Sequence, residues 1–149
     1  MNDTVTVALA QLDLVVGDVR GNTARINEYS ERARDELDAD LVVFPELSLC
    51  GYPPEDLLSH SGLRRRVDEA LEIIRTRVNG IAVLIGFPEY AGDDIWNACA
   101  VFSDGKELAR YSIVLGIKIP NVVREVYSQA MTSGERGSMI LGNNRGIDS

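Results

Sequence analysis

Apolar and polar positions fall into short blocks along most of the chain, and the period changes from block to block. Thr4–Ala10 (TVTVALA) is rich in β-branched residues and predicts a buried strand. Gly17–Asn22 reads as a turn, with Asn22 or Thr23 as N-cap of a helix that runs to about Leu37. Ala24, Ile26, Tyr29, Ala33 and Leu37 stand near helical spacing within it. Asp40–Phe44 (DLVVF) predicts a short apolar strand that Pro45 stops. Leu49–Ser59 is irregular, broken by Gly51 and Pro53-Pro54. Leu63–Val78 predicts a second amphipathic helix with Val67, Ala70, Leu71, Ile74 and Val78 on one face, and Gly80 ends it. Ile81–Phe87 is another all-apolar strand, and Ile95–Phe102 with Lys106–Ser112 predicts a hairpin around Ser103-Asp104-Gly105. The order β-α-β-α-β-β-β, with strands apolar on both faces, predicts an α/β fold with helices packed on a sheet. Periodicity does not choose among the α/β architectures.

The pattern changes near Ser112. Beyond it come SIVLGIKIPNVV, continuously apolar, and SGERGSMILGNNRGIDS, which reads as loop or disordered tail. Twenty of the 23 carboxylates lie before Ile113, so the acidic character belongs to the first part. At 149 residues the chain fits one domain, and its 45% apolar content suits a globular core. The net charge of −8 argues against a nucleic-acid partner, and Arg64-Arg65-Arg66 reads as a solvated helix face. No apolar run approaches the ~18 residues of a membrane span. No basic residue precedes the first apolar stretch, so no secretory signal is expected. Two cysteines form neither a metal spacing nor a disulfide framework, which suits a reducing cytoplasm.

Glu46 is the first chemical candidate. It follows the strand DLVVF at its C-terminal end, where α/β proteins form ligand clefts. A carboxylate between Phe44 and Leu47 can be partly desolvated, as a general base requires, or it can simply cap a loop or pair with a surface Arg. Tyr52-Pro53-Pro54-Glu55-Asp56 reads as a rigid loop leading into a short helix. Cys99, inside WNACAV, reads as a small buried hydrophobe, whereas Cys50 beside Gly51 is more ambiguous. The single histidine, His60, has nothing that places it near either thiol.

These residues resemble a known family. VALAQLDLVVGDVRGNTARI is similar to the first strand and helix of carbon–nitrogen hydrolases, the nitrilase superfamily, and DLVVFPELSLCGYPPEDLL resembles their catalytic Glu loop. Its Gly-Tyr-Pro-Pro-Glu-Asp-Leu-Leu form is associated with the glutaminase domain of bacterial glutamine-dependent NAD synthetases. IAVLIGFPEY and WNACAVFSDGKELARYS continue in register, so the resemblance covers residues 4–112. It implies a partial α-β-β-α sandwich over residues 1–112, followed by a non-matching tail over 113–149. It further implies glutamine as the small-molecule substrate and oligomeric relatives. No cofactor is implied in this chain; ATP and Mg would belong to a separate synthetase domain that amidates nicotinic acid adenine dinucleotide. In such a site a Glu acts as base toward a Cys nucleophile, and a Lys stabilises the oxyanion.

Glu46 matches that base. The lysine follows a stretch like Arg110-Tyr111-Ser112, within Lys-x-x-Leu-Pro-Asn-Tyr, but here position 113 is Ile113. Ile119-Pro120-Asn121 echoes the Leu-Pro-Asn part, with Gly116 four residues before Pro120 and Val122 in place of Tyr. Of the two lysines, Lys106 falls in the hairpin turn, and Lys118 would have to approach displaced by roughly 7 Å along an extended segment. Lys118 is thus the one candidate for the cationic role. No Cys follows Cys99, so the nucleophile has no counterpart. A frameshift, a premature stop or a misjoined gene model would give this pattern, as would a divergent short protein. The other functional readings are a small-amide amidase and a catalytically dead fragment that binds a partner through its sheet.

Overall fold

The computed structural model describes residues 4–114 and 139–141. The elements are β1 (Val7–Leu9), α1 (Val19–Leu37), β2 (Leu41–Val43), a 3-10 helix (Glu55–Ser59), α2 (Ser61–Arg77), β3 (Ala82–Ala91), β4 (Asp94–Ser103), β5 (Lys106–Val114) and β6 (Met139–Leu141). They build one six-stranded sheet in the order β5-β4-β3-β2-β1-β6. The strands β6, β1, β2 and β3 run parallel, with α1 and α2 as the crossovers that such pairing needs. The hairpin strands β4 and β5 add antiparallel pairs to β3. Asp104 and Gly105, at φ 49° and 79°, make the two-residue turn between them.

Two expectations change. α1 begins earlier than Asn22: Asp18 is the N-cap, and its carboxylate accepts the Gly21 N–H at 2.9 Å. Asn22 and Thr23 are buried inside the helix, because tertiary contacts claim the side chain that a local reading assigns to capping. Met139–Leu141, read from its Gly- and Asn-rich surroundings as loop, pairs with β1 instead. The apolar triplet is too short to show a period, and the open backbone edge of β1 supplies the partner. The remaining residues of the expected tail lie outside the described residues.

Strand alternation divides the apolar side chains between two faces. Ala8, Val42, Phe44, Val83, Ile85, Phe87, Ala98, Ala100 and Phe102 face the helices and form the main core with Ile26, Val67 and Ile74. The three phenylalanines are each 1% exposed, worth about 1.5–3 kcal/mol apiece in burial. Val7, Val43 and Leu84 form a second cluster on the opposite face, flanked by Leu9, Leu41, Cys99 and Val101.

The chain leaving β2 stays against the sheet through residues 44–49. Phe44 N–H donates to Leu84 O and Leu49 N–H to Gly86 O, at 2.9 and 3.1 Å. The Ser48 hydroxyl donates to Gly86 O and accepts from Gly86 N–H. A Cβ on Gly86 would stand 2.5 Å from Leu47 N, so only glycine lets the loop lie this close. The loop then turns on Leu47, whose carbonyl accepts from both Cys50 and Gly51 N–H. Asn22, 1% exposed, ties this turn to the chain after β1: it bonds both backbone groups of Val15 and donates to Leu49 O.

A charged network clamps β5 across β4 onto β3. Glu89 accepts from Arg110 at 2.6 Å and from Ser112, while Arg110 forms a two-pronged contact with Glu107 and lies over the Phe87 ring at 5.1 Å. Burial pushes the Glu89 carboxyl up, but the bonds from Ser112 and Arg110 outweigh it and hold it below the usual carboxylate range. Arg110 lowers Glu107 in the same way.

Two predictions follow from this packing. Gly86→Ala should cost about 2 kcal/mol or more in urea unfolding. Gly62→Ala, whose added Cβ meets nothing within 4 Å, should gain about 0.5 kcal/mol. The depressed carboxyls contribute stability above the ordinary carboxylate pKa that is lost as pH falls through their lowered values. Urea midpoints measured from neutral pH down through the carboxylate range should therefore fall less steeply for Glu89→Gln than for the parent chain.

Candidate active site

Glu46 occupies the C-terminal end of β2, on the loop that Gly86 admits. Leu47 beside it has φ 50°, a left-handed conformation costing about 1 kcal/mol for a residue with a Cβ. The Leu47 side chain, 1% exposed, anchors that turn in the main core, so the strain is held by packing. Glu46 is half-buried, and Asn97 Nδ2 donates to its Oε1 at 2.7 Å. Asn97 is 7% exposed and lies in the middle of β4. Alternation places it on the same face as Cys99 and Val101, opposite the helices. Among the described residues Glu46 Oε2 has no hydrogen-bond partner, which leaves one carboxylate oxygen free to take a proton.

Asn97 was not singled out from the sequence. Its only signal is a polar residue inside the apolar run WNACAV, which burial then has to satisfy. Its cross-strand partners are Pro88 on β3 and Ile113 on β5. Position 113, where the resemblance calls for a lysine, is therefore in register with the residue that holds Glu46. Lys106 pairs with Ser103 at the far end of β5, seven residues and about 24 Å from position 113. Lys118 lies outside the described residues.

Neither cysteine is placed as a nucleophile. Cys50 is fully buried, its Sγ within reach of the Leu47 and Gly51 carbonyls, and burial pushes its thiol up to about 11. That environment keeps the proton on sulfur, contrary to what attack requires. Cys99 is half-buried between Gly86 and Tyr111 in the sheet register, and burial raises its pKa too. It shares the face of Asn97, two residues and about 7 Å along β4. His60 is exposed at the start of α2 and makes no capping bond with its side chain. The Pro-rich loop leads into the 3-10 helix as expected, and Tyr90 Oη donates to Leu58 O to fasten it. Among the described residues no cluster of three His, Cys, Asp or Glu could hold a metal, and no helix is long and apolar enough to cross a membrane.

Comparison with known proteins agrees with this fold. The carbon–nitrogen hydrolase family matches residues 6–143. The glutamine-dependent NAD(+) synthetase of Xanthomonas campestris is 45% identical over 108 residues, which is 72% of this chain and 20% of that protein. The chain thus spans about a fifth of the length of such curated relatives. Among solved structures, the glutamine-dependent NAD+ synthetase of Acinetobacter baumannii in complex with ADP superposes with a TM-score of 0.68 at 34% identity, covering 79% of this chain and 23% of that one. An amidase from Nesterenkonia sp. AN1, carrying the acetamide moiety of fluoroacetamide on its active-site cysteine, gives a TM-score of 0.64 at 26% identity over 72% of this chain and 42% of its own. With the sandwich-type α/β sheet, the Glu46 loop and these matches together, the chain belongs to the carbon–nitrogen hydrolase family.

Proposed function

We propose that this chain carries the general-base part of a glutamine-amide-hydrolysing site, of the kind that supplies ammonia for the amidation that yields NAD. The observation that carries the reading is Glu46, held at the end of β2 by Asn97 with one oxygen free. The FPELSLCGYPPEDLL loop favours glutamine over a small amide, because it matches the synthetase branch of the family. With a thiol supplied beside it, Glu46 would accept the thiol's proton as sulfur attacks the amide carbon and return that proton to the departing ammonia. Asn97 fixes which oxygen is available by occupying Oε1. Oxyanion stabilisation requires a cation facing the same space, and position 113 is in the right register but is isoleucine. No cysteine follows Cys99 to act as nucleophile. The 149 residues therefore bind and orient more than they catalyse. ATP and magnesium chemistry belongs, on this reading, to a synthetase domain in the longer relatives, and the setting is the cytoplasm.

The test titrates the purified chain with L-glutamine and, separately, acetamide while following the Asn97 side-chain amide by NMR, with ammonia release assayed in parallel. Glutamine should shift that resonance saturably, Glu46→Gln should abolish the shift, and no ammonia should appear. A response to acetamide alone would assign the chain to the small-amide branch. Glu46-dependent ammonia release would overturn the inactive reading and point to Cys99, and no response to either amide would leave a fragment that acts only by binding a partner.

A further inference from the structure

The run Arg64-Arg65-Arg66 does not form a single basic face. Arg64 lies over the Tyr90 ring at 5.9 Å, and Arg65 pairs with Glu69 at 3.8 Å. Arg66 instead lines a groove of about 450 Å³ between α1 and α2. Val19, Ala70 and Ile73 make that groove mostly apolar, and Ile73 is 50% exposed there, unusual for a residue of its size on an otherwise polar helix face. Arg20 and Arg77 complete a set of three guanidinium groups around the groove, which Glu69 also lines while its carboxylate pairs with Arg65. Arg77 is engaged by Glu31 at 2.9 Å, but neither Arg20 nor Arg66 has a carboxylate partner among the described residues; Arg66 reaches only Gly62 O, at 3.1 Å. Asn27, 3% exposed, also lines the groove.

We infer that the α1/α2 groove binds a small amphipathic organic anion. Its apolar body lies over Ile73 and Val19, and its acid group is taken by Arg20 and Arg66. The volume is that of a small-molecule site rather than of a macromolecular interface. Two guanidinium groups without carboxylate partners among the described residues select an anion, and the exposed Ile73 selects an apolar body. The site is independent of the glutamine reading, because the helices lie on the face of the sheet opposite Asn97 and Glu46.

Anilinonaphthalene sulfonate has both an apolar body and an acid group and serves as the probe. In a titration of the full chain, the Ile73 methyl and Asn27 side-chain amide resonances should shift together and saturate. Ile73→Glu and Arg66→Glu, both at exposed positions that the fold does not need, should each weaken binding by about tenfold or more. Arg64→Glu, two residues away, over Tyr90 and outside the groove, should leave the affinity unchanged. Absence of saturable shifts at Ile73 and Asn27, or equal affinity in the Ile73→Glu and Arg66→Glu variants, would overturn the assignment.

Discussion

The arrangement depends on the contact between the Glu46 loop and the backbone of Gly86. A strand that ends in proline normally leaves its sheet, yet residues 45–49 remain bonded to β3 because Gly86 presents no side chain and Ser48 bridges its peptide. Any Cβ there would collide with Leu47 N and push the loop outward. The left-handed turn at Leu47 and the buried anchor of its side chain then set the direction in which Glu46 leaves the chain. The position of the carboxylate is thus a property of backbone packing around it.

The sheet's two faces have separate work. The helix-facing side holds the main hydrophobic core and keeps the strands in place. The opposite side carries Asn97 and Cys99, so candidate chemistry stands on a rigid surface whose register cannot slip without exposing the core. The Glu89–Arg110–Glu107 cluster adds a second restraint at the outer strand, bridging β3 and β5 over β4. Through it, residues just before position 113 are held in register with the site.

Family membership and local chemistry give different information. The family relationship accounts for Glu46 and the fold that presents it. The chain's own residues decide the rest: isoleucine stands at the register position beside Asn97, and both thiols are raised in pKa by burial. The geometry holds the Glu46 carboxylate through Asn97, while a paired thiol and cation are not supplied by the described residues.

Much of this was legible in the residues themselves. The apolar blocks DLVVF and IAVLIGF specify doubly buried strands, the stripe from Val67 to Ile74 specifies the buried side of α2, and Asp104-Gly105 specifies a tight hairpin turn, because each signal is local and periodic. The strand-end position of Glu46 was visible for the same reason. What the sequence could not decide depends on partners distant along the chain. Asn22 looks like a cap until Val15 and Leu49 claim its side chain, and Asp18 caps the helix instead. Asn97 becomes a partner of Glu46 only because residues 51 apart meet across the sheet. The need for glycine at 86 exists only once another segment lies against it. Local pattern determined the elements and the site's carboxylate; tertiary contact alone determined what holds that carboxylate, since hydrogen bonds and steric limits between remote segments have no signature in sequence spacing.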